Sequence, residues 1–333
     1  MKSRNKELDI LKGLLIIIVV IRHVFQVVAL DTDVDYLSNL MTIVEMPLFI
    51  LVSGYFGGKS LLTQNKELLG VIKKKTIAYL IPFLSYYFIF KMLFSPISEW
   101  NGMVIALIHN ITHGLWFLFV VWILSIVLNI AICISSRHRL SNVVKVAIFT
   151  MAFFGIVGCF GLIGLKFGFD FLGAKYIVFY SVLYYLGYLF HYLISVKRLL
   201  ANDGFVAVCT VIFFIGANYF KILLLPDSLV YMGIRIVLAL AGAGVLYRIA
   251  VYLSEKGKTL KLDVIGMFTL EIYYVHSFLL RVIDFEAEAK LMSYDAILKA
   301  LVLAAFLMIT IPIIITVIRN NKVLSVVVFG KTH

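Results

Sequence analysis

Hydrophobic residues in this chain come in uninterrupted runs, without the alternation of polar and apolar positions that a membrane β-barrel requires. A helix of about 20 apolar residues crosses roughly 30 Å of hydrocarbon and satisfies its own backbone hydrogen bonds. Charged residues between the runs predict spans at residues 10–30, 36–57, 76–95, 113–134, 143–165, 172–195, 205–225, 229–252, 262–282 and 296–318. We therefore expect an all-α, polytopic membrane protein, a bundle of about ten transmembrane helices that forms one integral-membrane domain over residues 1–333.

The composition excludes a soluble globular protein. Of the 333 residues, 62% are hydrophobic and only 14% are charged, which is more apolar surface than one soluble core can bury. Cys133, Cys159 and Cys209 lie in or at the end of apolar runs and have neither disulfide-framework nor metal-site spacing, so we expect no redox chemistry and no metal. No small-residue cleavage site follows the first apolar run, which predicts a retained first span rather than a signal peptide.

The formal net charge of +12 is distributed by side of the membrane. Basic residues precede the first span and follow the even-numbered spans, whereas the opposite loops are acidic. The basic set is Lys2, Arg4, Lys6, Lys59, Lys66, Lys73, Lys74, Lys75, Arg137, Arg139, Lys145, Lys197, Arg198, Lys256, Lys258, Lys261, Arg319, Lys322 and Lys331. The acidic set is Asp31, Asp33, Asp35, Glu99, Asp227, Asp284, Glu286 and Glu288, with Lys166, Lys175 and Lys290 as exceptions. The positive-inside rule then predicts that both termini are cytoplasmic. We expect a multi-pass protein of a cell membrane, bacterial in source, in contact with membrane lipids rather than nucleic acid.

Ionisable residues lie in and next to the first span, and such residues in hydrocarbon are functional candidates because each costs about 2.5 kcal/mol or more. Asp9 and Lys12 are three residues apart and can pair on one helical face. His23 lies eleven residues beyond Lys12, which returns it to within roughly 20° of the same face, about 16 Å further along the helix axis. The histidine either bonds to a neighbouring helix for packing or performs chemistry in a groove that Lys12 also faces, and the residues alone leave both open.

Other ionisable groups inside the predicted spans need partners. Arg22 adjoins His23 but points about 100° away, so Glu45 and Glu271 are the acidic residues expected to neutralise it. Glu45 precedes Pro47, which is expected to bend or interrupt the second span and to open a cavity there. Structural ion pairing and a direct catalytic role both stay open for Glu45.

The ninth and fourth spans carry further polar candidates. Glu271 and His276 could line a polar interior, or His276 could be a hydrogen-bonded strut between helices. His113 and Trp116 share a face at the outer end of the fourth span, where an interfacial aromatic anchor is the alternative to a role in binding.

Two further patterns have structural as well as functional interpretations. The basic run Lys73, Lys74 and Lys75 before the third span fits topology and anionic-lipid contact, or phosphate binding at the cytoplasmic mouth. Glycines recur at helical spacing in the fifth span and predict close helix packing. They are Gly155, Gly158, Gly161, Gly164 and Gly168.

Six motifs occur in order along nearly the whole chain. The first is a basic residue, ten others and a histidine, preceded by an aspartate, and it is formed by Lys12, His23 and Asp9. The others are MPLFILVSGYF at 46–56, KKKTIAYLIPF at 73–83, LWFL at 115–118, YLGYLF at 185–190 and IYYVH at 272–276. With these motifs the chain resembles the membrane acyltransferase-3 family, closest to its fucose 4-O-acetylase-like branch.

The resemblance implies transfer of an acyl group, usually acetyl, from cytoplasmic acetyl-CoA to a hydroxyl of a glycan or a lipid-linked sugar. His23 fills the position of the family's essential histidine and Lys12 that of its arginine or lysine. Trp116 and His276 fall in segments that line the active site of the family.

One element departs from the family pattern. The family has a cytoplasmic Arg-x-x-Arg element before the third span, where Lys75 replaces one arginine and Ala78 stands at the place of the other. The docking of coenzyme A is therefore expected to differ in detail from that of relatives with both arginines.

Acyl transfer to a hydroxyl needs a base, positive charge for an anionic donor and donors for the developing oxyanion. We expect His23 to take the acceptor proton, directly or after an acyl relay, Lys12 to attract the donor phosphates and Asp9 to orient Lys12. The run Lys73, Lys74 and Lys75 is the expected aid in donor binding. The substrate-binding candidates are Arg22, Glu45, His113, Trp116, Glu271 and His276.

Two other functions fit the same composition. A glycan or lipid transporter of the flippase type could use ten helices with internal charges, although no inverted repeat is visible. A sensor or scaffold could use the same fold without turnover, because fold alone does not settle chemistry. The acceptor, the hydroxyl position and the oligomeric state, including a homo-oligomer, stay open.

Overall fold

The computed structural model describes residues 5–29, 35–58, 68–94, 102–136, 141–225, 228–282 and 293–331. Within these ranges every regular element is helical, which confirms the all-α fold. Part of the predicted charge pattern lies outside the described residues: Lys2, Arg4, Asp31, Asp33, Lys59, Lys66, Glu99, Arg137, Arg139, Asp227, Asp284, Glu286, Glu288 and Lys290.

The helices in chain order are α1 (Lys6–Val28), α2 (Tyr36–Tyr55), α3 (Leu68–Lys75), α4 (Ile81–Phe94), α5 (Met103–His109), α6 (Trp116–Ser136), α7 (Asn142–Phe167), α8 (Ala174–Tyr192), α9 (Ile194–Ala201), α10 (Asp203–Tyr219), α11 (Leu229–Glu255), α12 (Leu262–Ile265), α13 (Thr269–Val282), α14 (Ser293–Arg319) and α15 (Lys322–Phe329). A π-helical turn, Thr76–Leu80, joins α3 to α4. Short 3₁₀ turns at Ile111–His113, Phe171–Gly173 and Ile222–Leu224 precede α6, α8 and α11.

The chain forms two compact units. The first comprises Met1–Phe49 and Leu193–Val317, and the second comprises Ile50–Tyr192 and Ile318–His333. The single-domain organisation over residues 1–333 stays a prediction.

Helix α1 is the core of the first unit. Its residues Ile10, Leu15, Val19 and Val24 are 0% exposed although they point in different directions around the helix. The helix packs against α11, α12 and α13. Asn5 begins it as an N-cap, with its side-chain oxygen accepting a hydrogen bond from the backbone N–H of Leu8 at 3.1 Å.

Helix α6 is the core of the second unit. Leu118, Val120, Leu124 and Leu128 are 0% exposed, and the helix packs against α3, α7 and α8. The last turn of α2 lies backbone-to-backbone on α8, because a Cβ at Gly54 would clash with the Tyr184 carbonyl. These are the contacts by which small residues bring membrane helices together.

In the part of the chain that the structure describes, seven helical stretches are long and apolar enough to cross a membrane: Lys6–Val28, Tyr36–Tyr55, Leu68–Phe94, Trp116–Ser136, Asn142–Phe167, Leu229–Glu255 and Asp295–Arg319. Helix α10 is apolar but shorter, and the 19 residues of α8 include many tyrosines, which lower its hydropathy. The structure therefore confirms a multi-pass arrangement of apolar helices, whereas the count of about ten spans is not confirmed.

The ninth predicted span, 262–282, is wrong as a single helix. It is broken into α12 and α13 by the turn at residues 266–268. A Cβ at Gly266 would clash with the Asp9 carbonyl, and a Cβ at Gly13 would clash with the Leu262 carbonyl. The two glycines let the broken segment lie directly on the backbone of α1, a contact that hydropathy does not reveal.

Helix α2 runs through Pro47 without an interruption, whereas a bend at this proline stays a prediction. One other sequence expectation needs correction. The glycine stripe of α7 does not mediate close packing along its length, since a Cβ at Gly155 or Gly158 would meet nothing within 4 Å. Of the five glycines, only Gly164, near the end of α7, has close neighbours, the ring of Phe169 and the side chain of Ala174.

Candidate active site

The first polar layer of the site lies near the start of α1. The Lys12 ammonium is 2.7 Å from the Asp9 carboxylate, and their side chains are 23% and 10% exposed, respectively. The pairing predicted from their spacing of three residues is confirmed. Because α1 is unbroken from Lys6 to Val28, the angular relation between Lys12 and His23 derived for an ideal helix applies to it.

The crossing of α1 by the segment from α12 to α13 positions the second layer. Gly13 and Gly266 allow α12 to lie on the first half of α1, and α13 continues alongside the rest of α1. Side chains of α13 thereby reach the depth of His23. The break in the ninth span is thus what brings its histidine to the first helix.

The centre of the second layer is a pair of histidines. Nδ1 of His23 lies 2.9 Å from Nε2 of His276, and the two ring planes differ by only 9°. The other ring nitrogen of His276, Nδ1, donates a hydrogen bond to the Ile272 carbonyl at 2.8 Å. His276 is 0% exposed, whereas His23 is partly exposed. The hydroxyl of Ser277 is 3.4 Å from the same Nε2 of His276.

A buried ion pair stands beside the histidines. Nη1 of Arg22 is 3.0 Å from Oε1 of Glu45, which confirms Glu45 as a partner of this arginine. Nε of Arg22 donates to the Thr42 hydroxyl at 2.7 Å, and Nη1 also donates to the Gln26 side chain at 3.0 Å. The side chains of Arg22 and Glu45 are 7% and 5% exposed. Charges taken out of water this far require such partners.

Two more charged groups of α13 belong to the first unit. Glu271 lies in the first turn of α13 and is 0% exposed. Arg281 lies in the last turn of α13. The spacing of His276 and Glu271 on α13, five residues, does not place them on one face.

Sequence reasoning missed part of this site. It assigned no role to Thr42, Gln26 or Arg281. Gln26 could have been found, because it is four residues after Arg22 on one helix. Thr42 is on α2, and no sequence spacing relates it to Arg22.

The remaining candidates lie in the second unit. Trp116, at the start of α6, stacks on Tyr176 and Tyr180 of α8 with ring centroids 4.6 and 5.5 Å apart. The backbone of His113 belongs to a 3₁₀ turn, and its side chain is outside what the structure describes. The three rings form an aromatic cluster that belongs to the second unit alone.

The basic run forms the last turn of α3, where cations interact favourably with the helix dipole. Lys73 and Lys74 are exposed, and Lys75 places its ammonium 5.6 Å from the ring centroid of Tyr79. Tyr79 lies in the π-helical turn that follows, a helix type that is frequent at functional sites.

Comparison with known proteins decides the family. A family model described as an acyltransferase domain matches residues 5–324, which is nearly the whole chain. The chain belongs to the acyltransferase-3 family. It is therefore a multi-pass membrane acyltransferase. No curated protein and no solved structure gives a significant match, and the fucose 4-O-acetylase-like branch is not confirmed.

The C-terminal segment lies against the π-helical turn. A Cβ at Gly330, which follows α15, would lie only 2.7 Å from the Ala78 Cα. Lys73 and Lys74, which precede this turn, are exposed cations.

The two layers on α1 offer what acyl transfer needs. An imidazole with one nitrogen engaged can exchange a proton at the other nitrogen, and cations nearby can favour developing negative charge. Among the described residues no group of three or more His, Cys, Asp or Glu side chains could hold a metal ion.

Proposed function

We propose that this acyltransferase moves an acetyl group from acetyl-CoA to a hydroxyl of a cell-surface glycan or a lipid-linked sugar. The observation that carries the proposal is the position of His23. It lies in the second half of the apolar helix α1, and its Nδ1 is 2.9 Å from Nε2 of His276. A histidine held in this way is suited to act as a base within hydrocarbon.

The proposed reaction has one proton path. The acceptor oxygen attacks the thioester carbonyl, and His23 takes the hydroxyl proton as the new C–O bond forms. The C–S bond then breaks, and His23 returns the proton to the departing thiolate of coenzyme A. An acyl relay through the same imidazole is the two-step form of this reaction.

Lys12 and Asp9 are proposed to receive the donor. The ammonium of Lys12 is partly exposed and is held by Asp9 at 2.7 Å, a geometry that suits contact with the phosphates of coenzyme A. We propose that this end of α1 faces the cytoplasm, as the distribution of basic residues predicts. A donor that enters there meets His23 about 16 Å deeper in the membrane.

Two features of the second unit suit these substrate classes. Lys73 and Lys74 are exposed cations at the end of α3, of the kind that contact phosphates. Trp116 and Tyr176 are partly exposed, stacked aromatic residues, of the kind on which sugars stack.

The test is the His23→Ala variant, compared with His109→Ala. His109 is an exposed histidine of α5, so its removal controls for loss of any histidine. Membranes are incubated with radiolabelled acetyl-CoA, and alkali-labile label in the glycan fraction is counted together with the amount of exported glycan.

We expect loss of label with glycan export intact in His23→Ala and normal label in His109→Ala. Normal label in His23→Ala would contradict the assignment of the base. A transporter would be favoured if the native protein added no label to the glycan and His23→Ala lowered the amount of exported glycan.

A further inference from the structure

The pair of histidines constrains where protons lie on each ring. The Ile272 carbonyl can only accept, so Nδ1 of His276 must be the donor in their 2.8 Å hydrogen bond. A neutral imidazole has one N–H, and His276 Nε2 is then left as an acceptor. The Ser277 hydroxyl, 3.4 Å away, is compatible with the same acceptor.

The second hydrogen bond of the pair passes this constraint to His23. Its Nδ1 is 2.9 Å from the acceptor Nε2 of His276, in nearly parallel rings, so Nδ1 of His23 carries the proton. The lone pair of His23 is then on Nε2. A backbone carbonyl of α13 thereby sets the tautomer of a residue on α1.

We propose that His276 is a positioning residue that holds His23 in the Nδ1–H tautomer, so that Nε2 of His23 is the atom that takes the acceptor proton. This replaces the substrate-binding role expected from the sequence, because both ring nitrogens of His276 are engaged inside the protein and the side chain is 0% exposed. The catalytic consequence rests on the proposed function, whereas the tautomer itself does not.

The geometry explains why a histidine is needed at this place. The side chain at position 276 must accept a hydrogen bond from His23 at its far end, and it must donate a hydrogen bond to the Ile272 carbonyl at the end nearer the backbone. Serine, asparagine or a backbone group cannot span both partners. A substitution of His276 that removes only the atom that accepts from His23 would free His23 to adopt the Nε2–H tautomer. Neutral histidine prefers that tautomer in water.

Two substitutions of His276 test the roles of its two ring nitrogens separately. His276→Gln places an amide oxygen near the site of Nε2 and can accept from His23. His276→Asn places its amide near the site of Nδ1 and leaves no acceptor for His23. Both replacements are uncharged amides, and they differ from each other by one methylene group.

The first measurement is ¹⁵N NMR of histidine-labelled protein in lipid nanodiscs, with the two resonance sets assigned by their loss in His23→Ala and His276→Ala. We expect Nδ1–H, Nε2-bare signals for both residues in the native protein, retention of the His23 tautomer in His276→Gln and its reversal in His276→Asn. An Nε2–H or imidazolium signal for native His23, or no reversal in His276→Asn, would overturn the proposal.

The second measurement is the rate of acetyl transfer from radiolabelled acetyl-CoA in membranes. We expect His276→Asn to lower kcat at least about tenfold with little change in KM for acetyl-CoA, and His276→Gln to restore most of the rate. Equal losses in both variants would mean a merely structural role and would overturn the positioning role. If the tautomers behave as expected but His23→Ala retains full transfer, the proposed function fails while the tautomer assignment stands.

Discussion

The two polar layers on α1 differ in which parts of the protein supply their interaction partners. In the deep layer, defined by Arg22 and His23, every contact described above is to another protein group, and partners come from α2 and α13. In the shallow layer, defined by Asp9 and Lys12, the two residues pair within one turn of the same helix, and Lys12 keeps 23% of its side chain exposed.

This difference shows which of the two layers depends on the tertiary structure. A local pair can form in any helix with the same spacing, so the shallow layer needs little support. The deep layer exists only when three helices are in register, because removing one buried partner leaves another polar group unsatisfied in an apolar setting. Substitutions in the deep layer are therefore expected to have larger effects.

The largest expected effect is that of His23→Ala on the chemical step. Loss of a positioned base lowers the acetyl-transfer rate by about 100-fold or more. The rate is normalised to the amount of folded protein in the membrane, because the substitution also removes the 2.9 Å partner of the buried His276 and is expected to lower the unfolding midpoint. Retention of more than a tenth of the native rate would contradict the role of His23 as the base and would leave the deep layer with a structural role only.

The next effect is on stability, through the buried ion pair. Glu45→Leu leaves the Arg22 guanidinium without its carboxylate and is expected to lower the free energy of unfolding by about 3–5 kcal/mol. The double variant Arg22→Met with Glu45→Leu removes both charges and should recover much of the loss. Unfolding in detergent measures both, and a single variant as stable as the native protein would show that the deep pair is not needed.

A smaller loss of stability is expected at the helix crossing that connects the layers. Gly13→Ala puts a Cβ into the Leu262 carbonyl, and overpacking of this kind costs about 1–3 kcal/mol. The control is Gly158→Ala on α7, where the new Cβ meets nothing within 4 Å and stability should be unchanged or higher. Equal effects of the two changes on the unfolding midpoint would contradict the close approach of α1 and α12.

The smallest effect is expected in the shallow layer. Lys12→Ala should raise KM for acetyl-CoA by a few-fold to about tenfold, because an exposed cation contributes modestly to binding. Lys12→Arg should retain most of the affinity if charge is what matters, and Lys322→Ala serves as the control at an exposed lysine of α15. An Lys12→Ala variant with native KM would leave the shallow layer without a role in donor binding.

The sequence predicted more of the helices than of their packing. Nine of the ten predicted spans correspond to helical segments, because an apolar run in hydrocarbon has to satisfy its own backbone hydrogen bonds. The ninth was wrong as one helix, since its break depends on Gly13 of a distant segment. The glycine stripe of α7 was misinterpreted for the same reason: spacing shows which residues share a face, but not whether another helix covers that face.

The sequence by itself determined the class of the protein, most of its long apolar helices, the family and the pairing of Asp9 with Lys12. Each of these follows from composition, from residue order or from contacts within one helical turn. Only the tertiary structure decided that His23 meets His276, 253 positions away, and that Arg22 meets Glu45 and Thr42. Such contacts depend on the approach and register of separate helices, which small residues and backbone carbonyls control and which no periodicity records.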